Sequence, residues 1–152
     1  MNRRLRGMTM IEILIVMAII SILAAAVFPV SRMTVKRSRE IDLKRNLRMM
    51  RTAIDKYKEM YDSGKLEQKI GASGYPPDLD ILVAGVPLVS EPGKKVKLLR
   101  RIPVDPMTGE GNWEFRSHDD APDSRSWGGK DIFDVHSKSE EAALDGTKYS
   151  DW

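Results

Sequence analysis

From Ile13 to Val30 the chain reads ILIVMAIISILAAAVFPV, eighteen residues in which Ser21 is the single polar side chain. At about 1.5 Å per residue, an α-helix of this length crosses the roughly 30 Å hydrocarbon layer of a bilayer. A surface helix of a soluble domain would interrupt the run with a polar residue every third or fourth position, and this one does not. The alternative is the apolar core of a cleaved secretory signal, with Arg3, Arg4 and Arg6 as its basic head and Ala24, Ala25 and Ala26 near the cut. Such cores are usually about 7 to 15 residues long, so the length favours a span.

Of the 152 residues, those beyond the run leave room for one small soluble domain, which excludes a large multidomain enzyme. Cysteine is absent, which removes disulfides, thiolate nucleophiles and thiolate metal sites together. Charge falls in blocks. Residues 31–62 carry ten basic and five acidic side chains, and residues 63–152 carry twelve basic and sixteen acidic. An acidic C-terminal part argues against nucleic acid as a partner.

Glu12 stands at the head of the apolar run. A carboxylate entering lipid unpaired costs a few kcal/mol, so it is read as a functional residue in search of a cation. The alternative is a side chain that merely reaches the headgroup level. Pro29 falls inside continuous helical pattern, where it removes a backbone hydrogen bond and is expected to kink or locally melt the helix. Beyond it Leu43, Leu47, Met50, Ile54, Tyr57 and Tyr61 recur at spacings of three and four, the mark of an amphipathic helix ending near Ser63 and Gly64. The basic side chains between 32 and 51 then form a solvated face or meet anionic lipid heads or acidic neighbours.

Farther on, SGYPPDLDILVAG predicts a proline-started short helix with Leu79, Leu82 and Val83 on one side. Residues 85–111 read as irregular connection. Residues 112–117 and 131–137 alternate as two strands of a small antiparallel sheet, joined by a polar loop. His118 and His136 sit beside acids, but no catalytic fingerprint accompanies them, and an enzyme is not expected.

RRLRG followed by MTMIEILIVMAIISILAA resembles the class III leader of type IV pilins and of the pseudopilins of type II secretion. Order in the second half narrows the likeness: YPPDLDIL, then RRIPVDPMTGEGNWEF, then DIFDVHSKS and a terminal Trp152 are similar to the major pseudopilin. The resemblance implies cleavage between Gly7 and Met8 by a prepilin peptidase and N-methylation of Met8. Glu12 becomes the fifth residue of the mature chain, whose carboxylate neutralises the terminal ammonium of a neighbouring copy. Met8 stands where family members usually carry Phe.

It also implies an α+β fold of the type IV pilin-like kind, a long N-terminal helix packed on a small domain with a short antiparallel sheet. The expected segments are a leader at 1–7, a transmembrane helix half at 8–30, an amphipathic half at 31–62 and a head at 63–152. The expected place is the inner membrane of a Gram-negative bacterium, in a single pass with the head in the periplasm. Counting basic residues alone would orient the chain the other way, since more of them follow the run than precede it, but long C-terminal domains translocate largely regardless of charge. Implied partners are further copies of the chain in a filament, the prepilin peptidase, minor pseudopilins, the inner-membrane platform protein and membrane lipid. The implied work is to push folded proteins across the outer membrane.

In that family a loop after the last strand holds calcium, and here Ser137, Glu140 and Asp145 are the implied ligands. Asp119, Asp120 and Asp123 offer a competing acidic loop, and an ordinary solvated acidic turn is the plain alternative. Two other readings of function remain: a true type IV pilin for adhesion or motility, and a monomeric membrane-anchored periplasmic binding module.

Overall fold

The computed structural model describes residues 8–68, 71–121, 124 and 126–152, with backbone alone for 26–31. Two compact units divide at Ser38 and Arg39. The first contains the start of α1, a helix that runs unbroken from Met10 to Asp62. Helical backbone continues through position 29, so the proline does not end the helix. Its side chain lies outside the described residues, and the expected kink with it.

The second unit, Arg39–Trp152, is α+β. Its elements are the rest of α1, α2 (Asp80–Ala84), two short hairpin pairs and a closing 3₁₀ turn at Tyr149–Asp151. Strands β1 (Val86–Pro87) and β2 (Lys95–Val96) pair antiparallel, as do β3 (Glu114–Arg116) and β4 (Asp134–His136), where Phe115 faces Val135. The β3–β4 pair falls where residue alternation places it. The β1–β2 pair does not, because residues 85–111 read as irregular connection: two-residue strands are too short to display a period, and Pro87 hides one of them.

Leu43, Leu47, Met50 and Ile54, spaced four, three and four, form the buried stripe of α1. Against it pack Leu79 and Leu82 from the α2 region, Leu99, Trp113, Ile132, Val135, Ala143 and Tyr149. A satellite cluster of Met60, Leu66 and Val86 covers the end of α1. That end is a Schellman turn. Gly64, at φ +69°, donates its N–H to Tyr61 O at 3.0 Å, and Lys65 donates to Met60 O at 3.0 Å. At α2 the Asp78 carboxylate accepts the Ile81 N–H at 2.8 Å, satisfying one otherwise orphaned helix donor.

Two buried carboxylates stitch the loops around the β3–β4 pair. Asp105 is fully buried and accepts from Met107 N at 2.8 Å and from the Ser137 hydroxyl at 2.6 Å. Asp131 accepts from His118 N at 2.9 Å and from the Ser73 hydroxyl. Trp113 closes the region by donating its indole N–H to Pro103 O at 2.9 Å. Buried polar atoms so paired order the connecting loops instead of penalising the core.

Candidate functional site

At the N-terminal end, Gly7 lies outside the described residues, and Met8 is exposed. Thr9 immediately precedes the first helical residue, and its hydroxyl lies 3.4 Å from the Glu12 N–H, which also donates to Thr9 O at 3.1 Å. Thr-Met-Ile-Glu is thus spaced as a capping box, a second local reason for an acid at position 12. In this first turn the positive end of the helix dipole favours a carboxylate. The Glu12 side chain is exposed, with no ion pair among the described residues.

Between Met10 and Leu23, eleven large apolar side chains are exposed, from 46% at Val16 to 81% at Met10. Ser21 turns its hydroxyl back to Met17 O at 2.8 Å, which removes the one polar side chain of the run from its surface. Among the described residues no helix is long and apolar enough to cross a membrane. The described side chains of the run end at Ala25, and residues 26–30 of the expected span have only their backbone described.

The three residues implied as calcium ligands do not come together. Ser137 is fully buried and spends its hydroxyl on Asp105 and on the Ser139 N–H. Glu140 is exposed, its Oε2 3.7 Å from Lys148 Nζ. Asp145 accepts both the N–H and the hydroxyl of Thr147 at 3.0 and 2.6 Å, and these bonds hold its carboxyl below the usual range. In the competing loop, Asp119 pairs with Lys130 at 2.9 Å, and Asp120 accepts from Ser117 N and Gly128 N. Asp123 lies outside the described residues. Among the described residues no group of three or more His, Asp or Glu is arranged to hold a metal ion.

Sequence reasoning missed a polar node joining α1 to the end of the chain. Arg51 Nε donates to Asp134 Oδ1 at 2.6 Å, and its Nη2 donates to Val135 O at 3.0 Å and Trp152 O at 2.8 Å. His136 Nδ1 donates to the same Trp152 oxygen at 3.0 Å, while its Nε2 lies 3.1 Å from Asp134 Oδ2 without hydrogen-bond alignment. Burial pushes the Asp134 carboxyl up, but the neighbouring imidazole and the Arg51 charge more than offset it, holding the group at about 2. The only trace of this in the sequence is one arginine bordering the apolar stripe.

Glu40 makes a second tie, its Oε1 accepting from Leu144 N at 2.7 Å and from Tyr149 OH at 2.9 Å. Burial, and then the bond to Glu40, push the Tyr149 phenol up to about 12. Beside Arg51 lies a groove of about 830 Å³, lined by Leu47, Arg48 and Thr52 of α1 and by Thr147, Lys148 and Trp152. Lys44 also lines it, its ammonium 4.1 Å from the centre of the Trp152 ring.

Residues 2–28 match the family model of the prokaryotic N-terminal methylation motif. No curated protein and no solved structure matches the chain. The match supports a type IV pilin-like protein and is consistent with processing by a prepilin peptidase and with filament assembly. It ends at residue 28, so it does not bear on the kind of filament.

Proposed function

We propose that this chain is the structural subunit of a periplasmic pseudopilus, the helical filament of a type II secretion system that pushes folded proteins across the outer membrane. The methylation motif over residues 2–28 supports the pilin-like part of this reading. The eleven exposed apolar side chains within it agree with an apolar environment, because water penalises such a surface by about 25 cal/mol per Å² whereas lipid or a filament core does not. In this reading the span anchors the precursor in the inner membrane, with the head on the periplasmic side. The peptidase cuts after Gly7 and the Met8 amine is methylated. Glu12, poised at the helix start, then neutralises the amine of the adjoining copy, which sets the stagger of the subunits.

The choice of pseudopilus over surface pilus rests on the resemblance of the second half and on the absence of cysteine, since pilins commonly close a C-terminal loop with a disulfide. The role is structural, not catalytic. Mass spectrometry of protein purified from membranes tests the processing: the expected species has lost residues 1–7 and carries one methyl on Met8, and an intact leader refutes it and favours the monomeric anchored module. Electron microscopy of intact cells at native expression tests the filament type: long surface filaments refute the pseudopilus in favour of a true pilin.

A further inference from the structure

The residues present do not suit the calcium ion that the likeness to pseudopilins implies, and we propose that residues 139–152 are latched to α1 without a metal, by the carboxylate of Glu40. Calcium takes about six to eight oxygen acceptors. At this place the chain turns donors inward: the Leu144 N–H and the Tyr149 hydroxyl both point to Glu40 Oε1, at 2.7 and 2.9 Å. Donors converging on one point call for an anion, and α1 supplies it. A cation there would face the positive ends of an N–H and an O–H.

Two of the three groups implied as metal ligands, Ser137 and Asp145, are committed to the fold itself. Ser137 faces the buried Asp105, and Asp145 closes a turn on Thr147. Within the segment the geometry is closed by its own bonds. Ala143 N donates to Thr147 O at 2.7 Å, Gly146 N donates to Ala143 O at 3.1 Å, and Ala142 and Lys148 form an isolated antiparallel bridge. Trp152 then folds back, donating its indole N–H to Thr147 Oγ1 at 2.7 Å with its ring edge-to-face on Tyr149. One oxygen of Glu40 therefore spans both ends of the turn from Leu144 to Tyr149, the crosslink a metal would otherwise make. Tyr149 is wholly buried, so the tie reaches the core and not only the surface.

Hydrogen exchange of the full chain in detergent micelles, followed by mass spectrometry of peptides from 139–152, tests the latch. Wild type is expected to exchange equally in calcium chloride and in chelator. Glu40→Ala is expected to speed exchange in this segment about tenfold, since two bonds to a charged acceptor are lost. Tyr149→Phe deletes the hydroxyl alone and should give a smaller increase confined to the same peptides. Faster exchange of wild type in chelator overturns the proposal, as does unchanged exchange in Glu40→Ala. Where Glu40→Ala loosens the whole unit, Tyr149→Phe decides: a local increase supports the latch, and none overturns it.

Discussion

Replacing Arg51 by Ala removes a guanidinium that donates to Asp134 Oδ1, Val135 O and Trp152 O at 2.6, 3.0 and 2.8 Å. Fully buried, a hydrogen bond to a charged group contributes about 1.5 to 3 kcal/mol, and an exposed ion pair at most about 1. The side chains of Arg51 and Asp134 are 36% and 22% exposed, so water recovers part of the loss and about 2 kcal/mol is expected. For a unit of this size that is a fall in Tm of roughly 8 °C. Urea unfolding followed by tryptophan fluorescence reads the effect cleanly, because Trp113, Trp127 and Trp152 all lie in the second unit.

The pH dependence supplies the sharper test. Asp134 is held at about 2, below its ordinary value of 3.8, so its ionised form stabilises the fold above pH 4, and this stabilisation is lost as pH falls through 2. At 1.36 kcal/mol per pH unit the whole contribution is about 2 kcal/mol, shared between His136 and Arg51. The gap between wild type and Arg51→Ala is therefore expected to be widest near pH 7 and to narrow steadily below pH 4. Arg51→Lys should recover only part of it, since one ammonium cannot reach both the carboxylate and the Trp152 oxygen. A gap that stays constant from pH 7 to pH 2, or a loss below about 0.5 kcal/mol at pH 7, refutes the reasoning.

On the proposed assembly, Glu12→Ala should still enter membranes while filament yield drops by roughly an order of magnitude, because an uncompensated amine would remain in an apolar core; normal yield on sedimentation would rule out the pairing. Gly64→Ala meets no atom within 4 Å of the added Cβ, so its expected cost of about 1 kcal/mol is pure backbone strain at φ +69°, readable as a shift in urea midpoint without change in slope. Trp113→Phe strands the buried Pro103 carbonyl and is expected to cost about 2 kcal/mol by the same assay, with no cost arguing that water replaces the lost donor.

What could be read from the sequence was whatever rests on a period. Of six apolar positions at alternating spacing, Leu43, Leu47, Met50 and Ile54 are the buried face of α1 while Tyr57 and Tyr61 are half-buried at its edge, and alternation located β3 and β4; the end of the helix was marked by Gly64 itself. Ala53 joined the core unannounced, because a small residue marks no face strongly. Long-range polar partners leave no period at all. Beyond the place of Arg51 beside the apolar stripe, little local in Glu40 or Arg51 distinguishes them from the other charges of α1, and their partners lie 83 to 109 residues away. Ser137, Glu140 and Asp145, the calcium ligands that the resemblance implied, lie within eight residues of one another and yet turn to a core carboxylate, an exposed lysine and a local turn.

Those distant ties also explain why one helix can bear two incompatible surfaces. Residues 10–25 are apolar at nearly every position and expose what they carry, while residues 39–62 bury a single stripe and leave charge on the rest. Leu43, Leu47, Met50, Ala53 and Ile54 are five of the thirteen described residues at the centre of the head's core, so this helix supplies more than a third of that core. Glu40 and Arg51 flank that stripe and bind the last segment of the chain to it. The end of the sequence is thereby fixed on the same helix that begins with the methylation motif. In the filament subunit proposed above that continuity matters, because an apolar end could leave lipid for a polymer core only if the head it carries remained one folded body throughout.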